Sequence, residues 1–123
     1  MLFSGQAIKV SLLPSGIAQL IFDLEGSSVN KFDRLTMKEL GEATAVIGKS
    51  DARGVIFSSA KSTFIVGADI TEFTGLFATG SEAIRDWIGR ANEVFNAIED
   101  LPLPTVAAIN GVALGGGFEL ALS

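Results

Sequence analysis

An α/β fold built from strand–helix units is what this sequence predicts, and three observations predict it. Short β-type runs alternate along the chain with longer runs of helical period. Gly54-Val55-Ile56-Phe57 is continuously apolar, the pattern of a strand buried inside a parallel sheet. The 14 glycines against 3 prolines supply the tight turns such an architecture needs. With 123 residues, 48% of them hydrophobic, and a mean hydropathy of +0.46, the chain has the material for one domain. A domain of that size buries about 65% of the surface of its unfolded chain.

Taken in order, residues 7–12 and 17–23 read as two strands joined through the turn Pro14-Ser15-Gly16. A loop, Glu25 to Ser28, leads to Val29-Asn30-Lys31-Phe32. Thr36 with Glu39 fits a capping box, and Asp33 is an equally good N-cap one turn earlier. Leu40, Ala43 and Ile47 mark the buried face of the helix that follows, which runs to about Gly48. After the strand at 54–57 comes a polar loop, 58–64, and then Ile65-Val66-Gly67-Ala68-Asp69-Ile70. Asp69 is placed to cap a short helix over 70–77. Ala78-Thr79-Gly80 interrupts it, and Ser81 is the expected N-cap of the next. Ile84, Trp87, Ile88, Ala91, Val94, Phe95 and Ile98 keep helical spacing to Asp100, with Trp87 most simply a core anchor.

The last stretch carries the most chemistry. Residues 105–109 are predicted as a short buried strand, preceded by Pro102 and Pro104. The turn dipeptide Asn110-Gly111, then Val112, Ala113, Leu114 and the glycines 115–117, lead to Phe118-Glu119-Leu120-Ala121-Leu122, the opening of a helix. A strand, a side-chain-free loop and a helix start bring several backbone N–H groups together at the positive end of a helix dipole. That arrangement suits an anion, or an oxygen becoming anionic. Glu119 stands in the first turn beside those donors; the bland alternative is an ordinary helix-start carboxylate. The stretch lacks the Lys-Ser/Thr ending of a P-loop and does not match G-x-G-x-x-G. A helix with five residues before Ser123 is too short to be stable alone, so the sequence leads us to expect a domain that continues.

Composition excludes much else. With Cys 0 and His 0, this segment has no disulfide, no Ser-His or Cys-His nucleophile and no zinc site of the usual kind. A net charge of −5 argues against nucleic acid as a partner. No apolar run reaches the ~18 residues of a membrane span, and the N-terminus has no signal-peptide pattern, so the expected location is the cytoplasm. Asp69 with Glu72 is the one pair resembling a Mg²⁺ site, and a cap plus a surface carboxylate explains it better; no metal is expected.

The motif Asn110-Gly111-Val112-Ala113-Leu114-Gly115-Gly116-Gly117-Phe118-Glu119-Leu120-Ala121 resembles the signature of the enoyl-CoA hydratase (crotonase) family. Ser62-Thr63-Phe64-Ile65-Val66-Gly67-Ala68-Asp69-Ile70 is similar to that family's second signature, and Val29-Asn30-Lys31-Phe32 resembles its first CoA-contacting loop. The resemblance covers all 123 residues and about the first two-thirds of a hydratase domain. It implies a crotonase fold of repeated ββα units, incomplete at the C-terminal end, with residues 1–123 as the N-terminal portion of the domain. It implies an oxyanion hole made by the N–H groups of Ala68 and Gly116, and Glu119 as the carboxylate that activates water. A second glutamate, expected roughly twenty residues further on, has no position here.

By the same resemblance, CoA lies along Asn30, Lys31, Phe64, Ile65, Val66, Gly67 and Ala68, and Lys31, Arg34 or Lys61 meets phosphate. No cofactor is implied for this segment; NAD belongs only to a dehydrogenase domain that follows in the multifunctional bacterial members of the family. The implied partners are an acyl-CoA substrate and either copies of the same chain or a thiolase β-subunit. The implied reaction is hydration of a trans-2-enoyl-CoA in fatty-acid β-oxidation. The alternatives are Δ3-Δ2 enoyl-CoA isomerisation or, for an isolated segment, a non-catalytic acyl-CoA-binding or assembly module.

Overall fold

Strand β2 (Ile8–Leu12) folds back on β3 (Ile17–Phe22) as an antiparallel hairpin, closed by the expected turn: Leu13 N–H donates to Ile17 O at 2.9 Å and Gly16 N–H to Leu13 O at 2.9 Å. A two-residue strand not foreseen from the sequence, β1 (Phe3–Ser4), extends this sheet antiparallel to β2. From β3 the sheet becomes parallel, through β4 (Gly54–Ser59) to β5 (Thr105–Ala107), in spatial order β1-β2-β3-β4-β5. The helices are α1 (Arg34–Gly48), α2 (Ile70–Thr79), α3 (Ser81–Glu99) and α4 (Gly116–Leu122). This computed structural model describes residues 1–123, except for the side chains of Ile70, Phe73, Leu76 and Phe77.

One face of the sheet makes the core. Ile8, Val10, Ala18, Leu20, Phe22, Val55 and Phe57 are buried, and they meet Leu40, Ala43 and Ile47 of α1, the three residues whose spacing predicted that helix face. The other face is less covered. Ile56, within the run expected to be wholly buried, is half-buried, because its side points away from the helices. The strand expected over 105–109 is shorter and more exposed than predicted. It ends at Ala107, and Val106 and Ile109 are 58% and 51% exposed, since β5 is the sheet edge and has β4 alone beside it.

Of the two N-cap candidates for α1 the structure selects the earlier one, and the cap of α3 differs from expectation. Asp33, not Thr36, caps α1: its Oδ1 accepts Thr36 N–H at 2.7 Å. Gly80 occupies the N-cap position of α3, with no side-chain bond, and Ser81 is already helical. Freed from a capping box, Glu39 has a different task. It is buried on α1, and its carboxylate accepts the N–H groups of Gln6 (2.8 Å), Ala7 (2.8 Å) and Ile8 (3.0 Å). Three backbone donors at and just before the start of β2 are thereby satisfied by one carboxylate.

Removing that acceptor strands the donors. Glu39→Ala is expected to lower stability by about 3 kcal/mol, the order of cost of orphaning buried donors that had bonded a charged group. It should appear as a lower urea midpoint with an unchanged slope. Glu39→Gln keeps an acceptor and should recover part of the loss; an alanine variant with the original midpoint would show that the bonds carry no net stability.

Candidate active site

Each of the three parallel strands leaves the sheet at its C-terminal end, passes through a short extended segment and enters a helix. The segments 30–32, 64–68 and 112–114 lie side by side, through the parallel bridges Phe32↔Ala68 and Ile65↔Ala113. Phe32 N–H bonds Gly67 O at 2.8 Å, Val66 N–H bonds Asn30 O at 2.9 Å, and Leu114 N–H bonds Ile65 O at 3.0 Å. This small second ladder is the topological repeat that the alternating pattern implied. It sits where ligands bind in open α/β sheets, outside the carboxyl ends of the strands.

Glycine permits the close approach. Gly67 has φ +108°, a region that side chains rarely adopt, and a Cβ there would stand 3.2 Å from Leu114 O. A Cβ on Gly117 would run into the Ile65 carbonyl, so only glycine lets α4 seat against the ladder.

The start of α4 and the end of the 64–68 segment border one cavity of about 290 Å³. Ala68, Gly116 and Glu119 line it together, against Phe32, Met37 and Trp87. Among the described residues, neither Ala68 N–H nor Gly116 N–H has a hydrogen-bond partner, whereas Gly117 N–H bonds Leu114 O at 2.8 Å and Glu119 N–H bonds Gly115 O at 3.0 Å. The Glu119 carboxylate is in no ion pair among them, and it is the one ionisable side chain lining the cavity. Two free amide donors and one free carboxylate, on apolar walls, can stabilise an oxyanion and move a proton. The structure thus brings together the three residues singled out as oxyanion donors and base. The helix itself begins at Gly116, two residues earlier than the sequence suggested.

The expected CoA-contacting residues are arranged differently. The Asn30 side chain is buried: Oδ1 accepts Leu24 N–H at 3.0 Å, and Nδ2 donates to Phe22 O (3.2 Å), Ser59 Oγ (2.8 Å) and Phe64 O (3.0 Å). Phe64 and Ile65 are fully buried, and Val66 is half-buried. The side chains of Asn30, Phe64 and Ile65 are therefore interior supports, and along 64–68 the backbone and the half-buried Val66 and Ala68 are left to meet a ligand. Lys61 is also engaged, 3.2 Å from Asp23 and donating to Ser27 O at 2.6 Å, so it is not the loose surface cation a phosphate would need. Lys31 pairs with Asp69 at 3.2 Å, and Arg34 is exposed at the start of α1. Asp69 and Glu72 work on helix starts: Asp69 Oδ1 accepts Thr71 N–H at 3.0 Å, and Glu72 Oε1 accepts Arg34 N–H at 2.9 Å.

Sequence reasoning missed that the cavity extends under α3. Ile84, Trp87, Ile88, Ala91, Val94, Phe95 and Ile98 keep helical spacing, with Trp87 expected as a core anchor, yet in α3 only Ala91 and Ile98 are buried, Trp87 is half-buried, and Ile88 is 47% exposed. Helical spacing reports which residues share a face and carries no signal of whether that face is filled.

The Thr71 hydroxyl, donating to Asp69 Oδ1 at 2.6 Å, holds the Asp69 carboxyl below the usual carboxylate range, with the Lys31 ammonium assisting. A carboxyl lowered on folding contributes stability above its unfolded value of about 3.9, and that contribution is lost as pH falls through the lower folded value. A carboxyl-resolved NMR titration should place Asp69 below 3.9. Thr71→Val should raise it more than Lys31→Ala does, because the hydroxyl bond is the larger cause; the reverse order would show that the ammonium dominates.

The Enoyl-CoA hydratase/isomerase family model matches residues 14–123, and the chain belongs to that family. Its fold is the crotonase fold: it superposes on the enoyl-CoA hydratase from Bacillus anthracis with a TM-score of 0.84 at 31% identity, over 95% of this chain and 45% of that one. An enoyl-CoA hydratase/carnithine racemase from Magnetospirillum magneticum gives 0.87 at 28%, over 96% and 44%. In sequence, the chain is 54% identical over 123 residues to the N-terminal part of the fatty acid oxidation complex subunit alpha of Acinetobacter baumannii (strain SDF). It is 53% identical over 124 residues to the subunit of that name from Pseudomonas putida (strain GB-1). These matches take in 99% and 100% of this chain, which spans 17% of the length of either relative. Among the described residues, no helix is long and apolar enough to cross a membrane.

Proposed function

We propose that this segment carries the oxyanion hole and the first catalytic carboxylate of an enoyl-CoA hydratase acting in fatty-acid β-oxidation, as the N-terminal portion of its hydratase domain. The observation that supports this reading is the meeting of Ala68 N–H, Gly116 N–H and Glu119 in one cavity. Hydration adds water across the double bond of an α,β-enoyl thioester. As the water oxygen bonds to Cβ, Glu119 takes its proton and the π electrons move onto the thioester oxygen. Two amide donors held ~2.7–3.1 Å from that oxygen stabilise the enolate, each worth roughly 2.7–4 kcal/mol of barrier. The enolate collapses as Cα takes a proton, which family resemblance assigns to a second glutamate outside these 123 residues. The relatives' name also supports placing the protein in a fatty acid oxidation complex, where a thiolase subunit is the proposed partner.

One observation favours a second reading. Glu119 is the only ionisable side chain lining the cavity among the described residues, and one carboxylate is enough to shuttle a proton in Δ3-Δ2 enoyl-CoA isomerisation. Hydration incorporates solvent oxygen into the product and isomerisation does not, so mass spectrometry in ¹⁸O-labelled water separates them.

In the intact polypeptide that carries this sequence, Glu119→Gln is expected to slow loss of the enoyl-thioester absorbance by roughly 10²–10⁴-fold. Turnover near the original rate would remove Glu119 from the mechanism. Ala68→Pro deletes an N–H that makes no internal bond, so the fold should persist by circular dichroism while the rate falls at least ~100-fold. Retained activity in the folded variant would sink the oxyanion assignment at Ala68.

A further inference from the structure

The starts of α1 and α2 are tied to each other on both sides of Ala68. Phe32 brackets that residue through the backbone: its N–H donates to Gly67 O at 2.8 Å, and its O accepts Asp69 N–H at 3.1 Å. Both bonds use the neighbours of Ala68, so its own N–H is left over while the peptide units around it are held. Side chains then join the same two segments. Lys31 Nζ stands 3.2 Å from Asp69 Oδ2, and Glu72 Oε1 accepts Arg34 N–H at 2.9 Å. Asp69 also bonds forward into α2, where its Oδ1 accepts Thr71 N–H at 3.0 Å and the Thr71 hydroxyl at 2.6 Å.

These side-chain ties matter more for aim than for stability. The Lys31 and Asp69 side chains are 34% and 13% exposed, and a pair of that kind adds little to the stability of a whole domain. Alignment is far more sensitive, since a misplacement of about 1 Å can slow a reaction on the order of 100-fold. Directly before Ala68 the backbone turns at Gly67, whose φ of +108° brings no side chain to brace the bend. The direction of the Ala68 N–H is therefore set by what grips the chain on the other side, at Asp69 and the first turn of α2.

We propose that Lys31 and Glu72 are positioning residues: by strapping the start of α2 to the start of α1, they hold the Ala68 N–H where the thioester oxygen becomes charged. This rests on the reading of the reaction given above. It also separates Lys31 from a phosphate contact, because its ammonium already has a carboxylate partner in Asp69.

The test uses the intact polypeptide. Lys31→Met keeps the aliphatic stem and removes the charge, and Glu72→Ala removes the acceptor of Arg34 N–H. Each is expected to lower kcat for crotonyl-CoA at least ~5-fold with KM little changed. Lys31→Arg and Glu72→Gln, which restore a cation and an acceptor, should return most of kcat. A rise in KM at unchanged kcat in Lys31→Met overturns the proposal and assigns the ammonium to the CoA phosphates. Unchanged kcat in both variants, or a loss that the conservative variants do not restore, also overturns it. Hydrogen exchange read by mass spectrometry separates the strap from the reaction. Uptake across residues 67–72 should rise in Lys31→Met and Glu72→Ala and fall back in the conservative variants. That pattern in a polypeptide that hydrates no enoyl-CoA means the reaction is misassigned and the strap stands. Uptake equal to the wild type in both variants overturns the strap.

Discussion

The buried amide of Asn30 is the contact on which the site's geometry depends. One side chain bonds the end of β3 through Phe22 O and Leu24 N–H, the end of β4 through Ser59 Oγ, and the 64–68 segment through Phe64 O. Ser59 extends the clasp, donating to Thr63 O at 2.7 Å. Where a chain leaves a sheet its backbone groups lose their ladder partners, and they must find others or stay in water. Here they are bonded inside the protein, and that fixes the segment ending in Ala68 on the ends of β3 and β4, while Phe64 N–H to Val112 O and Leu114 N–H to Ile65 O, both 3.0 Å, tie it to the segment leading to Gly116. An oxyanion hole made of N–H groups from separate segments needs that kind of fixity, because a donor displaced by an ångström no longer meets the developing charge. The edge-to-face contacts of Phe22 with Phe32 and Phe64, both with ring centroids 6.2 Å apart, pack the same junction from beneath.

The fold was legible where a pattern is local. The hairpin at Pro14-Ser15-Gly16, the α1 face of Leu40, Ala43 and Ile47, and the parallel strand at 54–57 follow from turn chemistry and period. Glu39 shows the limit. Its spacing from Thr36 matched a capping box, but the donors it bonds lie more than thirty residues away in sequence, at the start of β2. A carboxylate has two oxygens and no fixed partner, so local spacing cannot tell which N–H groups will claim it. Asn30 is a comparable case: resemblance places its loop beside CoA, and nothing in the local sequence tells that its side-chain amide is taken up by the ends of β3 and β4 and by Phe64 O. That Ala68, Gly116 and Glu119 would meet in one place was legible through family resemblance together with the anion-binding sense of a glycine-rich helix start. Spacing alone left Glu119 an ordinary first-turn carboxylate.

Burial separates the two ends of α3 in the same terms. Ala91 and Ile98 pack into the core, and Phe95 meets Phe32 with centroids 5.7 Å apart. Toward the start of the helix the apolar residues overhang a cavity. A well-packed core would close that space, since each unfilled methylene-sized void costs contact energy.

Charge closes the argument about what this surface can recognise. The chain carries −5, and its basic residues near the site are mostly engaged: Lys31 by Asp69, Lys61 by Asp23 and Ser27 O, Lys38 by Glu42 at 3.8 Å. Free ammonium groups are thus scarce beside the cavity. Within the cavity lining itself the positive poles are backbone N–H groups, which carry partial charge and are held in place by the ladder; the guanidinium groups of Arg34 and Arg90 lie outside it. A site of that kind discriminates poorly among anions by charge alone. It discriminates by position, since its donors meet an oxygen at one place between the 64–68 segment and α4. That is the property the proposed reaction, which creates charge on one oxygen atom, would draw on, and it would come from the glycines that let these segments approach rather than from the lysines.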